Sequence, residues 1–275
     1  MSVTEYDYII EKIINSEIKS YPFDHLEIED FLSEDHLNLL LTNKQIHFEE
    51  IYNDIELYKK LISNGYKIQS FPGCVNTWEE YNKNNISSST ETTETKGITF
   101  RLKEYENERI QNLLFFLNSK MFQNTLEKKF NISNDSTTII SAIQKNLNGY
   151  EISPHPDIRQ KALTYLLNIN KNEEVENYNI HTHLLEFKSE YKKIEKFWEE
   201  NKEYNRFWVP WDYCTTVKKI NKNNTLLIFK PSSKPSSLHA VKLNYDHLKF
   251  QRTQIYGNLM YTNCPWSQTI NYNDI

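Results

Sequence analysis

The chain has 275 residues, with 32 Lys and Arg against 37 Asp and Glu for a formal net charge of −5, and 38% of its residues are hydrophobic. That length supports a sizeable core in one large domain or two small ones, and no apolar run approaches the roughly 18 residues a membrane helix needs. Five glycines (Gly65, Gly73, Gly97, Gly149, Gly257) exclude a G-x-G-x-x-G or Walker loop, and five arginines (Arg101, Arg109, Arg159, Arg206, Arg252) without a basic stripe argue against a dedicated nucleic-acid surface.

The first residues, Met1 to Asp7, lack the basic and apolar regions of a secretory signal. Cys74, Cys214 and Cys264 lie far apart with no C-x-x-C spacing, which excludes a zinc ribbon and a disulfide scaffold. Both features point to a reducing, cytoplasmic setting. Ile9, Ile10, Ile13 and Ile14 give residues 6–18 a helical period, and residues 21–28 alternate like a strand. Ser33 precedes a helix over 34–41 whose apolar face is Leu37, Leu40 and Leu41. Residues 81–96 are almost free of apolar side chains and read as an exposed, mobile loop. A long helical period then runs over 102–130 through Ile110, Leu113, Leu114 and Leu117.

After Asn131 the pattern changes to short β-branched or apolar runs at 137–143, 163–169, 179–185, 225–229, 238–243 and 253–261. A Lys- and Glu-rich helical insert over 189–204 interrupts them; Glu195, Lys196, Glu199 and Glu200 read as its solvated face. Trp208, Trp211 and Tyr213 follow it, either as core packing or as the wall of a cleft. Helices first and strands after predict an α+β chain with an antiparallel sandwich or barrel. It reads as one domain over 1–275, with mainly helical support over about 1–130 and a β core over about 131–265.

The stretch Gly149-Tyr150-Glu151-Ile152-Ser153-Pro154-His155-Pro156-Asp157 carries the most chemistry. On an extended chain side chains at i and i+2 face the same way, about 6.6 Å apart at Cα, so His155 and Asp157 can converge on one ion. The run Leu163 to Ile169 that follows reads as a buried strand, and His239 lies on a distant one. If residues 244–247 make a turn and Leu243 pairs with Leu248, His239 falls opposite Arg252 and both face one way. Two His and one carboxylate with open positions form the facial triad of non-haem Fe(II) oxygenases. An arginine nearby offers a planar fork for a carboxylate.

With H-x-D, a distal His and a following Arg, the chain resembles the Fe(II)/2-oxoglutarate-dependent dioxygenases, nearest the prolyl-hydroxylase-like branch. The resemblance implies a double-stranded β-helix (jelly-roll) core flanked by N-terminal helices. It also implies Fe(II) held by His155, Asp157 and His239, with the distal carboxylate of 2-oxoglutarate on Arg252. Turnover would consume O2, release succinate and CO2, and hydroxylate an amino-acid, peptidyl or small-molecule substrate. Tyr150, Thr164, Tyr165 and Gln254 are further co-substrate candidates; Gln254 stands where the family often has Ser or Thr. Arg159 and Trp211 are substrate candidates. Two other readings stay open: a jelly-roll binding module without turnover, and a cupin-type isomerase using His181 and His183, with one of that pair facing the pocket.

Overall fold

The structure, a computed structural model, describes residues 5–49, 51–69, 75–83, 97–132, 137–171, 173–231, 234–243, 247–263 and 268–269. The expected loop at 84–96, the turn at 244–246, Cys74 and Cys264 lie outside them. In the first half, α1 (Asp7–Asn15) buries Ile9 and Ile13, and β1 (His25–Ile28) follows. Ser33 caps α2 (Glu34–Leu41) by accepting the His36 N–H, and Asn53 caps α3 (Asp54–Ser63) by accepting from Glu56. Next come β2 (Tyr66–Ile68), α4 (Trp78–Lys83), β3 (Thr99–Leu102), α5 (Glu108–Leu117) and α6 (Lys120–Lys129).

Two expectations are corrected here. Residues 81–83 belong to α4 and not to a loop: Tyr81 is buried, and its hydroxyl donates to the Asn148 carbonyl at 2.8 Å. The helical period over 102–130 resolves into two helices, Glu108–Leu117 and Lys120–Lys129, with Leu102 at the end of β3, and polar side chains at the junction satisfy the freed backbone. Ser119 accepts the Phe122 N–H to start α6, while Asn118 Nδ2 donates to the Leu114 carbonyl at 2.7 Å to end α5 and its Oδ1 accepts the Ser141 N–H of β4 at 2.7 Å.

The second half contains β4 (Thr137–Asn146), β5 (Glu151–His155), β6 (Lys161–Asn168), β7 (Thr182–Phe187), α7 (Lys192–Glu200) and β8 (Tyr204–Arg206). It closes with β9 (Cys214–Ile220), β10 (Leu226–Phe229), β11 (His239–Lys242), α8 (His247–Phe250), β12 (Thr253–Tyr261) and β13 (Gln268–Thr269). A seven-stranded sheet runs β1-β10-β6-β12-β4-β3-β2, a four-stranded sheet runs β5-β11-β7-β9, and β8 pairs with β13. The chain crosses repeatedly between the two larger sheets, which are antiparallel throughout. The first 130 residues are therefore more than helical support, since β1, β2 and β3 extend the larger sheet at both edges.

Alternation along the strands separates two environments. On β6, Leu163, Tyr165 and Leu167 join the core shared with Ile9, Leu113 and Phe122, so these face the helices. Thr164 and Leu166 face the other way, toward the second sheet. Tyr165 lies opposite Gly257 in the β6–β12 register, and a Cβ on Gly257 would fall inside its ring. Glycine here makes room for an aromatic on the neighbouring strand. Among the described residues no helix is long and apolar enough to cross a membrane.

The expected hairpin between β11 and β12 does not form. β11 lies between β5 and β7, whereas β12 lies between β6 and β4 in the other sheet. The Leu243 N–H continues the β11–β5 ladder by donating to the Tyr150 carbonyl at 2.7 Å. One helical turn, α8, and Gln251 at φ 49° then carry the chain across. The Gln251 amide brackets Phe48, accepting from its N–H at 3.0 Å and donating to its carbonyl at 2.6 Å.

Candidate metal centre

β5 and β11 pair antiparallel with His155 directly opposite His239, and their rings stand 4.4 Å apart. The Nδ1 atoms lie 2.7 Å from the Ser153 carbonyl and 2.8 Å from the Ser237 carbonyl, respectively. A carbonyl can only accept, so each Nδ1 carries the proton and each Nε2 keeps a lone pair. Asp157 follows the end of β5, with Oδ1 4.0 Å from His155 Nε2. All three residues are buried, and one ligand atom from each lies within 4.8 Å of the others. Two neutral imidazoles of fixed tautomer and one carboxylate are a metal-ligand set.

Asp157 is held on both oxygens. Lys161 Nζ donates to Oδ1 at 2.5 Å, and the Thr164 hydroxyl donates to Oδ2. Burial by itself would raise the Asp157 carboxyl, but the Lys161 ammonium, with the two imidazoles, holds it well below the usual carboxylate range. Burial would likewise lower Lys161, yet Asp157 and the Tyr256 hydroxyl, 3.0 Å away, raise it. Burial and the neighbouring His239 push His155 down to about 3, and burial lowers His239. Both rings are thus in the metal-ready neutral form at physiological pH. Lys161, at the start of β6 four positions beyond Asp157, has no spacing that marks it as a site residue in the sequence.

The three residues open into a cavity of about 290 Å³ whose lining comes from both larger sheets. Arg252, Gln254, Tyr150 and Thr164 line it. Arg252 reaches it by the same alternation that brings Gln254, Tyr256, Asn258 and Met260 there along β12. Arg252 is 2% exposed, and burial lowers its guanidinium to about 10, still a cation at neutral pH. Other candidates lie elsewhere. Tyr165, next to Thr164, faces the helices and bonds to Ser141. Arg159 donates to the Tyr204 carbonyl at 2.7 Å and stacks 3.7 Å over the Trp198 ring, so it clamps α7 instead of facing the cavity. Trp211 donates from Nε1 to Glu151 Oε1 at 2.8 Å, and Trp208 lines the cavity in its stead.

His181 and His183 also fall outside the lining, while Thr182 between them faces in. His181 Nε2 bonds to the Val175 carbonyl at 2.7 Å, and His183 Nδ1 to Thr216 Oγ1 at 2.9 Å. This removes the ligand pair a cupin-type isomerase would need. Burial above all holds both imidazoles down to about 4. An unfolded chain protonates them near 6.5, so it binds more protons than the folded chain between those values. The stability they contribute is present above 6.5 and is lost as pH falls toward 4. Each should lose about 2 kcal/mol between pH 7 and pH 5. These two imidazoles by themselves should therefore lower the melting temperature of the metal-free protein by roughly 10 °C at pH 5. Thermal melts of a His181→Gln, His183→Gln double variant should show a flatter pH dependence.

No family model matches the chain, and no curated protein matches it. Among solved structures it is similar to a prolyl-4-hydroxylase from Pseudomonas putida, at 8% identity and a TM-score of 0.45, over 93% of this chain and 98% of that one. It is also similar to a prolyl hydroxylase from Trichoplax adhaerens, solved with an oxygen-degradation-domain peptide of hypoxia-inducible factor. That match has 12% identity and a TM-score of 0.43 over 94% of each chain. A 2-oxoglutarate/Fe(II) oxygenase-family protein from Burkholderia pseudomallei matches at 7% identity and a TM-score of 0.35, over 80% of this chain and 96% of that one.

Proposed function

We propose that the chain is an Fe(II)- and 2-oxoglutarate-dependent dioxygenase on a double-stranded β-helix, acting on an organic substrate with O2 and most simply by hydroxylation. The alternation of β4 to β7, and again of β9 to β12, between two antiparallel sheets, with β7 and β9 paired in the smaller one, supports the jelly-roll assignment. One observation carries the function: two cross-strand imidazoles with Nε2 lone pairs converge with Asp157 in a cavity that also holds Arg252. The donor set, two nitrogens and one carboxylate with open positions, fits non-haem Fe(II). When bound, Fe(II) and 2-oxoglutarate supply the oxidative chemistry, coupling decarboxylation to succinate with oxidation of the substrate.

The chain's own residues bind and orient. His155, Asp157 and His239 would hold the metal, and Arg252 the distal carboxylate of 2-oxoglutarate through a bidentate pair. The Thr164 hydroxyl fixes the orientation of the Asp157 carboxylate through Oδ2. Gln254 and Tyr150, which line the same cavity, would flank the co-substrate.

A binding module without turnover is the second reading. The observation favouring it is the Lys161–Asp157 ion pair, in which an ammonium already neutralises the carboxylate a metal would use. Succinate formation separates the two. Anaerobic loading with Fe(II) and 2-oxoglutarate, followed by O2 and a panel of amino acids and peptides, should release succinate from wild type and none from His239→Ala. A wild type that binds both cofactors yet yields no succinate with any substrate establishes the binding module.

A further inference from the structure

Lys161 holds the oxygen of Asp157 that lies nearest the imidazole of His155. Its Nζ is 2.5 Å from Oδ1, and that same Oδ1 is 4.0 Å from His155 Nε2. Oδ2 accepts from the Thr164 hydroxyl. Asp157 therefore cannot offer Oδ1 to a metal and keep Lys161 on it without setting an ammonium and a divalent ion a few ångströms apart. In a buried site like charges at that separation repel strongly. The ion pair and the metal compete for one oxygen.

Lys161 opens β6 opposite Met260 of β12, and its side chain is only 14% exposed. Strand pairing fixes the backbone there, so a displaced ammonium moves on its flexible stem within the cavity that Lys161 lines. The Tyr256 hydroxyl, 3.0 Å from Nζ, is a neutral partner and leaves the charge uncompensated. The other charged side chains of the described lining are cations, Arg101, Arg206 and Arg252, and Asp157 is its single carboxylate. An ammonium held out of water without an anion is costly. Once Asp157 serves a metal, the anion for Lys161 has to come from a ligand, and it has to sit beside the metal. The oxygenase reading, on which this argument rests, supplies such an anion. It is the carboxylate at the metal-side end of 2-oxoglutarate, opposite the end assigned to Arg252.

We infer that Lys161 is an exchange residue: without metal it pairs with Asp157, and with metal it pairs with the metal-side carboxylate of 2-oxoglutarate. One side chain then weakens the binding of metal alone and strengthens the binding of co-substrate to the metal-loaded protein. Metal and co-substrate are thereby coupled, each held best when the other is present.

Calorimetry on wild type and Lys161→Met, with Mn(II) as a redox-inert stand-in, separates the two roles. Mn(II) alone should bind Lys161→Met severalfold more tightly than wild type. 2-Oxoglutarate should bind the Mn(II)-loaded variant roughly tenfold or more weakly than loaded wild type, the loss of one charge-assisted hydrogen bond. 2-Oxobutyrate, which keeps the metal-side end and lacks the distal carboxylate, should lose as much affinity in Lys161→Met as 2-oxoglutarate does. It should bind Arg252→Lys as it binds wild type. Lys161→Gln, also neutral, should behave like Lys161→Met and replaces it if that variant fails to fold. Three results overturn the exchange. The first is unchanged 2-oxoglutarate affinity in the loaded variant, which would make Lys161 a competitor of the metal and nothing more. The second is Mn(II) binding no tighter than in wild type. The third is a loss confined to 2-oxoglutarate, which would put Lys161 on the distal carboxylate. Wild type that takes up no Mn(II) fails the oxygenase reading itself, and the exchange falls with it.

Discussion

Asp157→Ala is expected to abolish stoichiometric binding of Fe(II), or of Mn(II), because two imidazoles alone fall short of the three protein ligands that hold an ion with open positions. The same change should destabilise the metal-free protein by about 2–3 kcal/mol, since it leaves the largely buried Lys161 ammonium with only the Tyr256 hydroxyl in place of its anion. The two effects come apart in a cycle. Asp157→Ala combined with Lys161→Met should recover most of the lost stability and none of the metal binding. Lys161→Met alone should bind metal more tightly than wild type, since it removes the cation that competes for the carboxylate. Metal titration by calorimetry and chemical denaturation of the four proteins measure both quantities. Full metal stoichiometry in Asp157→Ala would remove Asp157 from the ligand set.

The sequence showed His155, Asp157 and His239 because their signal is local or chemical: an i, i+2 pair on an extended chain, and a lone histidine on an apolar strand. It did not show what brings His239 to them. The hairpin register placed His239 beside Arg252, whereas the structure places it across from His155 on β5. A strand pairing between segments more than 80 residues apart leaves no local trace, and the short polar run before Arg252 reads equally as a turn or as a crossing. Arg252 still reaches the cavity, because its alternation with Gln254 and Tyr256 is intrinsic to β12. Alternation also decides between Thr164 and Tyr165: neighbours on one strand face opposite sides, and only Thr164 faces inward. Arg101 and Arg206 were invisible as site residues. They enter through β3 and β8, which lie outside the strand runs the sequence displays. The helix over 102–130 reads as one element because its apolar period continues through Asn118-Ser119. The break is made by capping bonds, one of them to β4, which periodicity does not register.

Arg252 is the residue on which co-substrate binding should depend most. It is among the largest fully buried side chains, on the same side of the large sheet as Gln254 and Thr164, and remains charged at neutral pH. A guanidinium there can meet a dicarboxylate whose other end reaches the metal ligands, and its planar fork sets direction as well as charge. Arg252→Lys should therefore weaken 2-oxoglutarate binding markedly while leaving Mn(II) affinity nearly intact, since a point charge replaces two aligned donors. Arg252→Ala should cost roughly 2–5 kcal/mol of 2-oxoglutarate affinity, because the distal carboxylate would be desolvated without a partner. Calorimetric titration of 2-oxoglutarate into Mn(II)-loaded variants measures both steps, with Mn(II) stoichiometry as the check on folding. Unchanged 2-oxoglutarate binding in Arg252→Ala would assign the carboxylate to another cation. The structure makes that residue Lys161, Arg101 or Arg206, which line the cavity, and not Arg159, whose guanidinium is committed to Trp198 and the Tyr204 carbonyl.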